Sequence, residues 1–297
     1  MKIQKNDIVT RKSYGNDIVF KVENINGEMA DLKGLSVRIV ADSKVTDLVK
    51  IPEDELKQIL ERNLNAENMR ISRCNRFNNR SNTYSNNVYK NIKNVMKEDM
   101  NEYTNQNISS IKLYKKTGTI LHLDGDKEYT EKCKMMYSKL GLTSYVYYIP
   151  EVDQPKYVYS LLEKIKPNIL ILTGHDAFSK KSTDIYNVNN YKNSKYYVES
   201  INEARRYEHD IDSLVIYAGA CQSYYEALIT AGANFASSPK RVLIDIMDPI
   251  IIAQAIAYTS VDNYVSLKNL ISNTREGIRG VGGLQTRGQC REGIPSI

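Results

Sequence analysis

The sequence predicts an α/β protein, a three-layer domain with a mainly parallel sheet preceded by a small SH3-like β-barrel. Two observations carry this. From about residue 117, apolar strand-like blocks alternate with amphipathic helical stretches, the pattern of a parallel sheet with right-handed crossovers. Before residue 52, short blocks alternate apolar and polar residues at period two and are separated by turn signals. A polar, basic stretch lies between them, which gives an expected division into a barrel (1–51), a helix with a basic linker (52–108) and an α/β domain (109–297). A chain of 297 residues is long enough to bury a core in each outer part.

In the first part, DIVTRK, DIVFKVENI, MADLKG and VRIVAD read as strands. The segment from Tyr14 to Asp17 and the pair Asn26-Gly27 supply turns, the second being a strong hairpin signal. Residues 52–64 read as a helix that starts at Pro52 and places Leu56, Ile59, Leu60 and Leu64 on one face. In the last part, TGTILHLDG is the first strand. KEYTEKCKMMYSKLG is a helix with Tyr129, Cys133, Met136, Tyr137 and Leu140 on one face, stopped by Gly141. TSYVYYI, NILILT and SLVIYAG continue the sheet. NILILT is almost wholly apolar, as expected of a strand covered by helices on both sides. PKYVYSLLEKIK, SKYYVESINEARR and QSYYEALITA are the intervening helices, and NFAS and VLIDIM read as short fifth and sixth strands. Asp248 is expected to cap a helix running through IIIAQAIAYT, with Pro249 in its first turn. Six of the fifteen glycines follow residue 276, and this tail reads as an irregular terminus or a lid.

Composition narrows the chemistry. No run approaches the roughly 18 apolar residues of a membrane helix, and MKIQKNDIVTRK lacks the apolar core of a secretory signal. Four cysteines (74, 133, 221 and 290) and three histidines form no CxxC pair and no Cys/His cluster, which argues against a disulfide framework or a metal site. No GxGxxG or P-loop is present, so no cofactor is expected. The net charge of +6 is concentrated: residues 62–97 hold eight basic side chains against one acid, more than the excess of the whole chain. That stretch is rich in asparagine and serine, and reads as a solvated joint. The α/β domain has no basic face of its own, so no nucleic-acid partner is expected.

In parallel sheets chemistry gathers at the carboxyl ends of the strands. Here those ends carry Asp124-Gly125-Asp126, Gly174-His175-Asp176 and Gly219-Ala220-Cys221-Gln222-Ser223. A cysteine is a strong nucleophile only as thiolate, and histidine is the side chain suited to take its proton. His175 and Cys221 are therefore the expected catalytic pair. The amides around Gly174 and Cys221, Ala220 among them, are the expected oxyanion donors. Asp126 reads equally as a pocket wall or as the cap of the following helix, and a phosphoryl-transfer aspartate at the end of the first strand is an alternative use of Asp124 or Asp126. His122 reads as core, and Cys74, Cys133 and Cys290 as structural.

An apolar block ending in His and a later one ending in Ala-Cys resembles caspase-like cysteine peptidases, and the 46-residue separation fits that group. The longer strings ILTGHDAFSK, LVIYAGACQSYYEALITAGANFASSP and TREGIRGVGGLQTRG, with KNDIVTRKSYGNDIVFKV and LHLDGD, closely resemble the YabG family of sporulation-specific cysteine proteases. The resemblance implies a caspase-like α/β fold and an endopeptidase of the sporulating cell. Such an enzyme would be cytoplasmic and associated with the spore coat, acting on coat and cortex-associated proteins. It maps the family's His and Cys to His175 and Cys221. Caspase-like enzymes usually carry Gly after the histidine, whereas here Asp176 follows and Gly174 precedes, which leaves the donating amide open between them. Cleavage after basic residues is also implied, with Asp124 or Asp126 pairing the substrate cation and Asp176 as the further candidate. An arginine preference would make the joint between residues 62 and 97 a substrate of the enzyme itself. A hydrolase or transferase acting on small amides and a non-enzymatic coat scaffold are the competing readings.

Overall fold

In the computed structural model, which describes residues 2–73, 114–179 and 181–293, the alternating residues of the N-terminal part build five strands. These are β1 (Ile8–Arg11), β2 (Phe20–Asn26), β3 (Met29–Gly34), β4 (Val40–Lys44) and β5 (Leu48–Lys50), in the antiparallel order β4-β3-β2-β1-β5. Asn26-Gly27 forms the expected hairpin: Gly27 takes φ +62°, and Asn26 pairs with Met29. The apolar face, with Val9, Phe20, Val22, Ala30 and Leu32, forms a core of its own. No ladder joins β4 to β5 among the described residues, so the expected barrel is observed as an open sheet.

Helix α1 (53–73) runs nine residues past the expected end at 64. Leu60 and Leu64 remain about half exposed, and the extra turns reach the α/β part through Arg70, whose guanidinium lies 3.2 Å from Asp245. The rest of the basic joint, Cys74 included, lies outside the described residues.

The α/β part contains β6 (Tyr114–Lys116), β7 (Ile120–Asp124), α2 (Lys127–Lys139), β8 (Ser144–Tyr148), α3 (Gln154–Ile165), β9 (Ile169–Thr173) and α4 (Ser194–Tyr207). It continues with β10 (Val215–Ala218), α5 (Tyr225–Thr230), β11 (Phe235–Ser237), α6 (Asp248–Tyr258), α7 (Leu267–Asn273), β12 (Val281–Gly283) and β13 (Arg291–Gly293). The six-stranded sheet has the order β12-β11-β10-β9-β7-β8, parallel except for β12. Side chains alternate across a strand, so Ile169 and Ile171 pack under α2 and α6, while Leu170 and Leu172 pack under α3 and α4. Covering both faces with helices is what makes β9 apolar from Ile169 to Leu172. No helix among the described residues is long and apolar enough to cross a membrane.

Two elements differ from expectation. VLIDIM is not a strand of the sheet: residues 242–247 run outside it and bond to the N-terminal part, where the Arg38 N–H donates to the Ile244 carbonyl at 2.9 Å. The sixth strand is β12, from the glycine-rich tail, antiparallel to β11. The tail then adds β13 to β6 in a separate two-stranded ladder.

Candidate active site

β9 sits between β7 and β10; the chain winds from β7 outward to β8 and from β9 outward to β10 and β11, so the direction switches between β7 and β9. The carboxyl ends of these three strands therefore lie side by side at a topological switch point, where crevices form in open α/β sheets. Asp124 is in register with Thr173, and Leu172 with Ala218. The three segments singled out by sequence meet on this edge.

His175 is fixed by one ring nitrogen. Its Nε2 lies 2.9 Å from Asp126 Oδ2, while Nδ1 is buried and has no hydrogen-bond partner among the described residues. Its backbone N–H donates to Glu151 at 2.6 Å. The Glu151 carboxylate occupies the space a Cβ would need at both Gly125 and Gly174, so a side chain at either position would displace it. Glu151 was not singled out by sequence: it stands in an ordinary-looking loop and is brought in only by the fold. Asp126 also caps α2, with Oδ1 accepting the N–H groups of Glu128 (2.9 Å) and Tyr129 (3.0 Å). The same oxygen takes Lys33 of β3 at 2.7 Å. Burial opposes the Asp126 charge, but the bonds from His175, Lys33 and the helix end hold the carboxyl well below the usual range.

Cys221 follows β10 in a tight turn, with Gly219 at φ +109° and Gln222 at φ +57° on either side. It is 1% exposed and packs with Val37 and Ile244. Its sulfur accepts the Ile244 N–H at 3.1 Å. Burial pushes the thiol up to about 12, against the pull of that N–H and of Arg38, so in this arrangement the sulfur is a thiol at neutral pH. The loops bearing His175 and Cys221 are tied together by Asp176. Its Oδ2 accepts the hydroxyls of Ser194 and of Ser223 (2.9 Å), and its Oδ1 accepts the N–H groups of Ala177 and Asn193. Ser223 Oγ in turn accepts the Ala220 N–H at 2.9 Å. The Asp176 carboxylate is thus buried and engaged within the fold, and the Ala220 amide is likewise taken.

Asp124 is fully buried and meets Arg38, Nη1 to Oδ2, at 2.7 Å. Thr173 donates its hydroxyl to the same carboxylate oxygen at 2.9 Å. Thr173 must then accept from His122 Nε2 (2.6 Å), which leaves His122 Nδ1 to accept from the Tyr137 hydroxyl (3.1 Å). Burial pushes His122 down to about 3, so it is neutral, as this chain of bonds requires. His122, Asp124 and Cys133 place ligand atoms within 4.8 Å of one another. The cation found among them is the Arg38 guanidinium, which also reaches Cys133 Sγ at 3.5 Å. The Tyr129 ring closes the group, 5.2 Å from the guanidinium and 5.5 Å from the His175 ring. Lys33 and Arg38 were not singled out by sequence, since each reads as an ordinary polar position of an alternating strand.

Comparison with known sequences places the chain among the peptidases. It belongs to the YabG peptidase U57 family, whose sequence model matches residues 4–295. It is 37% identical over 304 residues to the sporulation-specific protease YabG of Bacillus subtilis (strain 168), with 99% of each chain covered. No solved structure matches it.

Proposed function

We propose that this peptidase is a cysteine endopeptidase of the sporulating cell, with Cys221 as nucleophile and His175 as its base. The observation that carries the reading is the placement of the two residues on adjacent strand ends. Their loops are bonded through Asp176 and Ser223, and His175 is anchored at Nε2 so that Nδ1 is the nitrogen left to exchange protons. Nδ1 accepts the Cys221 proton as sulfur attacks the scissile carbonyl carbon. The imidazolium then protonates the leaving amine as the C–N bond breaks, which leaves a thioester that water hydrolyses with His175 as base. Asp126 acts as the positioning residue for His175, and Asp176 holds the two loops in register. The Gly174 and Asp176 amides, with that of Cys221, are the candidate oxyanion donors, because those of His175 and Ala220 are used by Glu151 and Ser223.

Asp124 supports cleavage after arginine or lysine, since its buried carboxylate already pairs a guanidinium. The substrates in this reading are spore coat and cortex-associated proteins, with association to the coat. The basic joint between residues 62 and 97 is a site of self-cleavage. The fold of the α/β part in this reading is caspase-like. Purified wild-type and Cys221→Ala proteins separate the readings. Hydrolysis of an arginine-containing coat protein is expected to fall by about three orders of magnitude or more in the variant, and undiminished cleavage would remove Cys221 from the mechanism.

A further inference from the structure

We propose that Asp124, Cys133 and Tyr129 form the guanidinium pocket of this peptidase, and that Arg38 of the chain itself occupies it, with residues 36–38 lying in the groove as an internal substrate strand. The proposal rests on the cysteine-peptidase reading for the meaning of the groove. The occupancy itself stands on geometry.

A peptidase that selects arginine must do two things. It holds an extended backbone by main-chain hydrogen bonds, which is independent of sequence, and it buries one guanidinium against a carboxylate, which is specific. Both are done here from within. Residues 36–38 pair antiparallel with 244–246: the Arg38 N–H donates to the Ile244 carbonyl at 2.9 Å, the Ile246 N–H donates to the Ser36 carbonyl at 3.3 Å, and Val37 faces Asp245. Ile244 is the residue whose N–H touches the Cys221 sulfur, so the strand lies against the nucleophile, and Val37 covers it. The Arg38 side chain leaves this strand for a pocket with no exposed surface, where it bonds to Asp124 at 2.7 Å, reaches Cys133 at 3.5 Å and lies over the Tyr129 ring. The loop entering the strand is pinned as well. The single Tyr129 hydroxyl hydrogen is shared between the carbonyls of Gly34 (2.9 Å) and Val37 (3.2 Å), and Lys132 donates to the Leu35 carbonyl at 3.3 Å.

A buried ion pair contributes little net stability compared with apolar packing of the same volume. Structural need alone therefore gives poor grounds for an arginine at this point of β3–β4, whereas occupancy of a pocket made for arginine does. Being tethered, the segment competes with an external substrate at an effective concentration on the order of millimolar or higher. The groove is closed until the 36–38 strand leaves it.

The test uses the full-length Arg38→Ala variant and agmatine, a guanidinium on a four-carbon chain, as the pocket probe. Millimolar agmatine is expected to raise the Tm of the variant by a few degrees and to leave wild type unchanged. Hydrolysis of a benzoyl-arginyl-aminomethylcoumarin probe is expected to rise at least tenfold. Arg38→Lys keeps a cation against Asp124, and serves if the alanine variant does not fold. It should show a smaller agmatine shift and a smaller rate gain. An equal agmatine response in wild type and the folded variant, or none in either, overturns the occupancy. Adding Cys221→Ala to the Arg38 variant isolates the underlying reading: retained agmatine binding with hydrolysis lost supports both, whereas retained hydrolysis removes the cysteine mechanism and leaves the pocket standing.

Discussion

Asp126 carries three duties with two oxygens: it caps α2, pairs Lys33 and holds His175 Nε2. Asn is nearly as good a cap, so Asp126→Asn separates the cap from the charge. The variant is expected to keep α2 and to lose about 10²–10⁴-fold in kcat, because the imidazole loses the carboxylate that orients it. Linkage gives a second readout. The Asp126 carboxyl lies lower in the folded protein than its ordinary value of 3.8, so its contribution to stability is present above about pH 3.8 and is lost as pH falls through the lower folded value. Acid unfolding of the variant should be shallower there, as followed by circular dichroism. The strand-end positions of His175 and Cys221 were legible in the sequence because each follows an apolar strand beside glycine. The cap reading of Asp126 was legible too, from the helix that follows it. Its pairing with His175, 49 residues away, was not, since no local pattern records which strands become neighbours.

Elements were legible where side-chain period reports burial, and illegible where it reports something else. β7, β9 and β10 are buried throughout because both faces are covered, and they stand where the sequence placed them. VLIDIM is mostly apolar for another reason: Leu243 and Ile244 pack against the N-terminal part and Cys221, outside any ladder of the sheet. β12 was hidden by its glycines. A Cβ at Gly283 would stand 2.3 Å from Phe235 Cδ1 and 2.5 Å from the Asn234 carbonyl, so this edge strand needs the residue type that usually argues against a strand. The turn after β10 is tight for a similar reason. At Gly219, φ is +109° and a Cβ would lie 2.9 Å from Leu228 Cδ1 and 3.1 Å from Ser237 Cβ. Gly219→Ala is expected to cost about 1–3 kcal/mol and to lower activity by displacing Cys221. Urea unfolding and hydrolysis of an arginyl amide would read the two effects.

For the whole molecule, an N-terminal run of short antiparallel strands and a later α/β alternation were legible from composition and period. What escaped the sequence was the traffic between the outer parts. Two cations of the first part, Lys33 and Arg38, meet two strand-end aspartates of the last. α1 adds Arg70 to Asp245 and Glu67 to Lys139, at 3.2 and 3.6 Å. The small ladder of β6 with β13 holds the start of the α/β part to its own C-terminal segment. These contacts lie on both sides of residues 74–113 and none of them depends on the chain between. A break in that stretch is therefore expected to cut the polypeptide without releasing its halves. Self-cleaved protein is expected to run as two bands on a denaturing gel and as one peak of unchanged size in gel filtration; separate peaks would count against it. A nicked enzyme of this kind is a heterodimer made from one gene, and its N-terminal fragment leaves only as fast as the ion pairs, the 36–38 strand and the Tyr129 contacts let go. The scissors and the release are then separate clocks.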